Sequence, residues 1–284
     1  MISEIIKQLK FNKMYIINML GADDFNTANK LYEDIMHCQK AGVIEYLEIK
    51  TRTELDDFLK DQISQTSNGL RPIYHFESHG NETLSKIGDN DHITWEELSL
   101  QLSLINRDMD YSPVVFMACC HGFHAISAIK INDATPFYYL FGPYIKISAG
   151  DLLSSAIIFY KELFTKPSIE DAIDVLPADI RVYCAEVFFT RLRIRHLANQ
   201  HIGSNLQKHA ARLAAQHCIE NIFNPNRMSY KDALIFFIIK LNDMKLLEEY
   251  YIKSARIFLG TEPAVSFSEI YKLAEQQYCS DQNS

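Results

Sequence analysis

The sequence predicts an α/β protein with a mainly parallel sheet, followed by a helical C-terminal region. Three observations predict it. Short apolar runs alternate with helix-spaced segments through the first part of the chain. The connections between them are short, which suits parallel strands with crossover helices on both faces. Beyond about residue 176 the pattern changes to helix after helix, so the expected division is 1–176 and 177–284.

The elements follow in order. Met14–Leu20 is an apolar run closed by Gly21 and reads as a buried strand. Asn26–Gln39 has helical spacing, with Leu31, Ile35 and Cys38 on one stripe, and Gly42 suits its end. Val43–Ile49 is β-rich, and Arg52–Gln65 carries Leu55, Phe58, Leu59 and Ile63 at helix spacing. Pro72–Glu77 is a third strand. Thr94 and Glu97 form a capping box that opens a helix. Pro113–Ala118, apolar almost throughout, reads as a strand buried on both faces. Phe123–Lys130 is a short helix, Pro136–Ile147 contains a fifth strand, and Leu152–Phe164 is an amphipathic helix. Ser168 caps the next. Ala178–Asn199 reads either as one long helix or as a strand through Cys184–Arg193, because Arg191, Arg193 and Arg195 alternate with Leu192 and Ile194; the wider apolar set favours the helix. Leu206–Phe223, Ser229–Asn242 (opened by a capping box at Ser229 and Asp232), Lys245–Leu259 and Ser266–Gln277 are helices, and disorder is expected only in the polar tail around Ser280–Ser284.

Composition narrows the function classes. The chain has 284 residues, 48% of them hydrophobic, enough for a sizeable core. No apolar run approaches the length of a membrane span, the longest candidate being Ala233–Ile239, and no signal-peptide pattern opens the chain. Six scattered cysteines without a CxxC pair suit free thiols in a reducing compartment, so a cytoplasmic location is expected. A net charge of −8 argues against nucleic acid as the partner. One stretch departs from that balance. Residues 187–219 hold no acid but five cations, Arg191, Arg193, Arg195, Lys208 and Arg212, which leaves the rest of the chain near −13. An activating partner or an anionic ligand could dock on Arg191, Arg195 and Arg212; a solvated helix face is the simpler reading.

Sites in parallel sheets form at the carboxyl ends of strands. Two short motifs lie there. Ser78-His79-Gly80-Asn81 follows the third strand, and Ala118-Cys119-Cys120-His121-Gly122 follows the fourth. A thiol, an imidazole and backbone amides at neighbouring strand ends are the parts a cysteine nucleophile needs. The glycine within each motif, Gly80 and Gly122, lets backbone approach a substrate closely.

These runs carry a resemblance. Tyr74–Gly80 resembles the strand ending in His-Gly of caspase-like cysteine peptidases, and Val114–Gly122 resembles their second block, an apolar strand ending in Ala-Cys-x-x-Gly. The spacing is closest to the CHAT branch and similar to legumain and separase. Gly142, Asp151 and Phe159-Tyr160-Lys161-Glu162-Leu163 are similar to a third CHAT segment. The similarity spans roughly residues 14–175. It implies a caspase-like three-layer fold and an endopeptidase acting on a protein substrate. Cys119 would be the nucleophile, His79 would manage the proton, and the amides of Gly80 and Cys119 would form the oxyanion hole. It also implies regulated proteolysis, such as a bacterial defence or death response. Two departures stand out. Cys120 occupies a position where CHAT proteins usually carry an acid, and it would be the nucleophile if the block were aligned to Ala-Cys-x-Gly; Ala118 favours Cys119. Ile147-Ser148-Ala149-Gly150 replaces the family's Trp-Pro-like turn.

Other readings stand beside this one. A caspase-like module that binds a partner without catalysis would use the same fold. Glu77 is either a pocket acid or a buried hydrogen-bonding partner, and Asp151 either a specificity-pocket acid selecting Lys or Arg or a helix N-terminal acid. His75, His79, Cys119, Cys120, His121 and His124 include metal-ligating types, but no pair has zinc-ligand spacing. No metal and no cofactor are expected.

Overall fold

The computed structural model describes residues 11–40, 42–107, 113–166, 168–221, 224 and 228–282. The chain forms two compact units. The first is Met1–Val187 with Ile257–Thr261, and the second is Phe188–Arg256 with Glu262–Ser284.

The first unit is built on a six-stranded sheet. Its strands are β1 (Lys13–Asn18), β2 (Ile44–Glu48), β3 (Pro72–Glu77), β6 (Val114–Ala118), β7 (Tyr139–Pro143) and β8 (Ile180–Cys184), in the order β2-β1-β3-β6-β7-β8. Every pairing is parallel except the last, β7 with β8. A two-stranded antiparallel hairpin, β4 (Leu84–Ile87) and β5 (Asp91–Thr94), follows β3. The fold is therefore α/β with a mainly parallel sheet and a helical C-terminal region, as the sequence predicts.

Helices cover both faces of the sheet. On one side α1 (Thr27–Ile35) packs against α4 (Ala149–Thr165), which is followed by α5 (Ile169–Asp174). On the other side α2 (Arg52–Thr66) packs against α3 (Trp95–Arg107), which meets the 3-10 segment Gly122–Ala128. The two-residue period of β3 sorts its side chains between these layers. Tyr74 reaches Gln62 of α2 at 3.1 Å, whereas His75 reaches Tyr160 of α4 at 3.1 Å. Phe116 of β6, opposite His75, lies among His75, Phe141, Phe159 and Tyr160 with centroid distances of 5.2–6.0 Å. The Phe159-Tyr160 pair singled out in the sequence is thus core packing.

Helix starts follow the caps read from the sequence. The Thr94 hydroxyl accepts from Glu97 N–H at 3.2 Å while the Glu97 carboxylate accepts from Thr94 N–H at 2.9 Å. Ser168 caps α5 and Ser229 caps α8 (Tyr230–Leu241).

Three expectations change. The segment after residue 176 is neither one helix nor a strand through Cys184–Arg193. It is β8, which pairs Ile180 with Pro143 and Cys184 with Tyr139, and then α6 (Ala185–Gln200). Edge pairing with β7 wins over the helical spacing up to Cys184, and the alternating arginines lie wholly within the helix. The sheet thus extends past residue 176. The tail is also ordered further than expected, since α10 (Phe267–Gln282) includes Ser280, with Asn283 and Ser284 outside the described residues.

The second unit is helical. It contains most of α6, α7 (Gly203–Glu220), α8, most of α9 (Met244–Leu259) and α10. The expected end of α7 at Phe223 lies outside the described residues. Arg193 is buried, its guanidinium 5.0 Å from the Phe189 ring and 5.3 Å from that of Tyr250. Arg191, Arg195 and Arg212 are exposed. Among the described residues, no helix is long and apolar enough to cross a membrane.

His196 sits in this unit with His201 and His209 in a chain of ring contacts. Burial, then the charges of His201, Arg193 and His209, push His196 down to about 4. A histidine depressed in the fold stays neutral while the unfolded chain takes up a proton. Its contribution to stability is complete above about pH 6.5 and is lost as the pH falls through 4. Denaturation midpoints of wild type should drop between pH 7 and 5, and His196→Gln should drop less. Equal slopes for the two would show that His196 protonates freely in the fold.

Candidate active site

Two adjacent parallel strands, β3 and β6, end side by side. Their ladder continues one step beyond the strands, with Ser78 N–H donating to the Ala118 carbonyl at 3.3 Å. The next residues are His79-Gly80 on one strand end and Cys119-Cys120 on the other.

The hairpin holds the β3 end. Lys86 N–H donates to the His79 carbonyl at 2.7 Å and Asn81 N–H to the Leu84 carbonyl at 3.0 Å. These flanking bonds close an antiparallel bridge between Gly80 and Ser85 and leave the Gly80 amide outside it. Trp95 Nε1–H donates to the Asn81 carbonyl at 3.1 Å, and the Ser78 and Ser85 hydroxyls are 2.7 Å apart.

Close backbone approach seals the Cys119 sulfur. A Cβ on Gly80 would stand 2.8 Å from Cys119 Sγ and 2.7 Å from the Cys120 carbonyl oxygen. A Cβ on Gly122 would stand 3.2 Å from the same sulfur and 2.6 Å from the Met117 carbonyl oxygen. Only glycine allows both approaches. Cys119 is 2% exposed as a result, and burial pushes its thiol up to about 12. Nearby Cys120 and Glu77 add to that shift, and the Ser78 hydroxyl opposes it by hydrogen bonding. Cys120 is turned elsewhere, its sulfur 3.6 Å from the Ile147 carbonyl oxygen. Cys119 is therefore the cysteine whose sulfur meets the His-Gly turn.

His79 faces the other way. Its ring is 56% exposed, and Nε2 lies 2.9 Å from Asp24 Oδ2. Asp24 comes from the loop after β1 and also accepts Gly21 N–H at 2.7 Å. The His79 hydrogen bond, with that of Gly21, holds the Asp24 carboxyl below the usual carboxylate range against a smaller opposing effect of burial. Among the described residues, no hydrogen bond joins His79 to Cys119.

Glu77 and Asp151 sit in different surroundings. Glu77 is 4% exposed; Oε1 accepts from the Thr27 hydroxyl at 2.6 Å and Oε2 meets His75 Nε2 at 3.0 Å. Both carboxylate oxygens of Glu77 are thus engaged by buried partners on the α1 face. Asp151 N–H donates to the Ser148 hydroxyl at 3.1 Å, and that hydroxyl donates to Asp151 Oδ2 at 2.6 Å. This is the first turn of α4, the helix-terminal reading, with the carboxylate still exposed. The six-residue ligand cluster weighed in the sequence does not assemble, because His75 spends both ring nitrogens on Glu77 and Tyr160.

The sequence reading missed Asp24 and Ser78. Asp24 lies 55 residues before His79, in a loop whose only local signal is Gly21, three residues past the end of β1. Ser78 lies within the quoted motif, and its role follows only from the side-chain direction at the strand end. Neither a family model nor a curated protein matches the chain.

Proposed function

We propose that the chain is a caspase-like cysteine endopeptidase, related to the CHAT branch, in a resting arrangement. The reading rests on one observation: the His-Gly turn and Cys119 lie at the carboxyl ends of adjacent parallel strands, with the Gly80 backbone against the sulfur. In the reaction Cys119 Sγ attacks the scissile carbonyl as its thiol proton passes to His79. The amides of Gly80 and Cys119 stabilise the tetrahedral oxyanion. His79 then delivers the proton to the leaving amine, and water releases the acyl group. Asp24 orients the imidazole through Nε2, which leaves Nδ1 for the sulfur. The segment around Gly80 has to swing off Cys119 before a peptide reaches it, which makes the enzyme one that is switched on. Exposed Arg191, Arg195 and Arg212 offer a surface for an activating partner or anionic ligand. Regulated cytoplasmic proteolysis, of the kind a bacterial defence or death response uses, suits free thiols and a closed site.

A second reading is a caspase-like module that binds a partner without catalysis. The sealed, protonated thiol favours it. Incubation of wild type and Cys119→Ala with a proteome, followed by mapping of new N-termini, separates the two. Peptidase activity gives cleavages with wild type that vanish with Cys119→Ala. Identical N-terminal maps, with and without a lysate from the source cell as activator, would leave only the second reading.

A further inference from the structure

Beside the sealed thiol lies a second set of side chains. Glu82 comes from the turn between β3 and β4, two residues after Gly80. His121 and His124 come from the turn after β6. One ligand atom from each of the three lies within 4.8 Å of the other two.

Two features set this group apart from a chance meeting of polar side chains. The first is His121. It is the one non-glycine residue with positive φ among the described residues, at φ 61° and ψ 16°. The turn holds it there: His121 N–H donates to the Ile145 carbonyl at 3.4 Å, and its own carbonyl accepts His124 N–H at 2.9 Å. Its Nδ1 is nonetheless buried with no hydrogen-bond partner. A buried nitrogen left that way costs stability unless something binds it. The second is His124. Its ring stacks on Tyr144 at 4.7 Å and 16°, and Nε2 lies 3.3 Å from the Tyr144 carbonyl oxygen. An imidazole that donates one N–H to a backbone carbonyl presents its other nitrogen as a lone pair, the arrangement typical of metal-ligating histidines.

We infer that Glu82, His121 and His124 form a zinc site. Two imidazoles and a carboxylate are a donor set of three-ligand zinc sites with an open fourth position. Ligand atoms around tetrahedral zinc stand about 3.3 Å apart, and the three here lie within 4.8 Å of one another. Glu82 is exposed, and rotation of its side chain supplies the closure. Bound zinc ties the β3–β4 turn to the β6 turn, the two segments that bring Gly80 and Gly122 against Cys119. It holds the closed arrangement and opposes opening. The binding site does not depend on whether Cys119 is a catalyst.

The test is zinc titration of the full chain against a chromophoric chelator, for wild type, Glu82→Gln, His124→Gln and a Cys119→Ser/Cys120→Ser double variant. Wild type should hold one zinc that Glu82→Gln and His124→Gln each weaken by at least about tenfold. The double variant should bind like wild type, and cobalt in place of zinc should give no thiolate charge-transfer band at this site. Thermal melts of the apo forms identify a variant that merely misfolds; Glu82 is exposed, so its variant decides if His124→Gln melts early. No saturable binding, affinity unchanged in Glu82→Gln, or binding lost with the two thiols would each overturn the site.

Discussion

Iodoacetamide should label Cys119 of the native chain at least about fiftyfold more slowly than Cys279 at neutral pH. The magnitude follows from the shift of its thiol from 9.0 to about 12. Three units lower the thiolate fraction about a thousandfold, and the thiolate is the reactive form. A more basic thiolate is intrinsically more nucleophilic, which recovers about twentyfold over that range. The remainder is about fiftyfold before access is counted, and the sulfur sealed behind Gly80 and Gly122 is slower again. Cys279 is exposed, and Cys120 is partly so, which makes them internal references within one sample. Peptide mass spectrometry after timed quenching gives every rate at once. Equal rates at Cys119 and Cys279 would mean that the glycine-lined seal is open in solution. In the cleavage-competent state of a peptidase the order should reverse, with Cys119 the fastest thiol of the six; a Cys119 that stays slow when cleavage is under way would remove it as the nucleophile.

Phe116→Ala should lower the unfolding free energy of the first unit by about 3–5 kcal/mol. Phe116 has no exposed surface and is enclosed by His75, Phe141, Phe159 and Tyr160. These neighbours come from β3, β7 and α4, and several are held by other contacts, so they close only part of the cavity. The ring therefore loses its transfer free energy and leaves a void besides. Against a total of about 5–15 kcal/mol for a natural domain, the change is large. Guanidinium midpoints of wild type, Phe116→Leu and Phe116→Ala measure it, with the leucine variant expected within about 1.5 kcal/mol of wild type. A loss below about 1 kcal/mol for alanine would show that α4 settles onto the sheet without a void. Phe116 lies three residues before Cys119, on the strand that leads to it, so the alanine variant should also speed alkylation of that thiol.

Legibility in the sequence tracked how local the cause was. Pro72–Glu77 and Val114–Ala118 were readable as buried strands because their apolar runs are continuous and bounded. Thr94 and Ser229 were readable because a cap needs only a residue three positions on. The hairpin Leu84–Ile87 with Asp91–Thr94 was not, since four-residue strands are too short to display a period. β8 was masked because Ile180, Tyr183 and Cys184 fit either spacing, and only β7 decides between them. The site divides in the same way. The strand ends carrying His79 and Cys119 were visible as motifs, whereas Asp24 reaches His79 by tertiary packing. The sealing of Cys119 depends on two glycines far apart in the chain, a fact about approach distances that no local pattern carries.

The antiparallel closing strand has a consequence for biosynthesis. β7, whose Tyr139, Leu140 and Phe141 are all buried, is made some forty residues before β8 arrives to pair with its outer edge. During that interval a nascent chain presents a hydrophobic ribbon with unpaired backbone groups, the kind of surface that recruits chaperones or joins other chains. A fragment ending at 176 would retain His79 and Cys119 and keep that ribbon bare permanently. Ile180–Cys184 thus works as a hem on the sheet, and the smallest piece that folds cleanly has to include it.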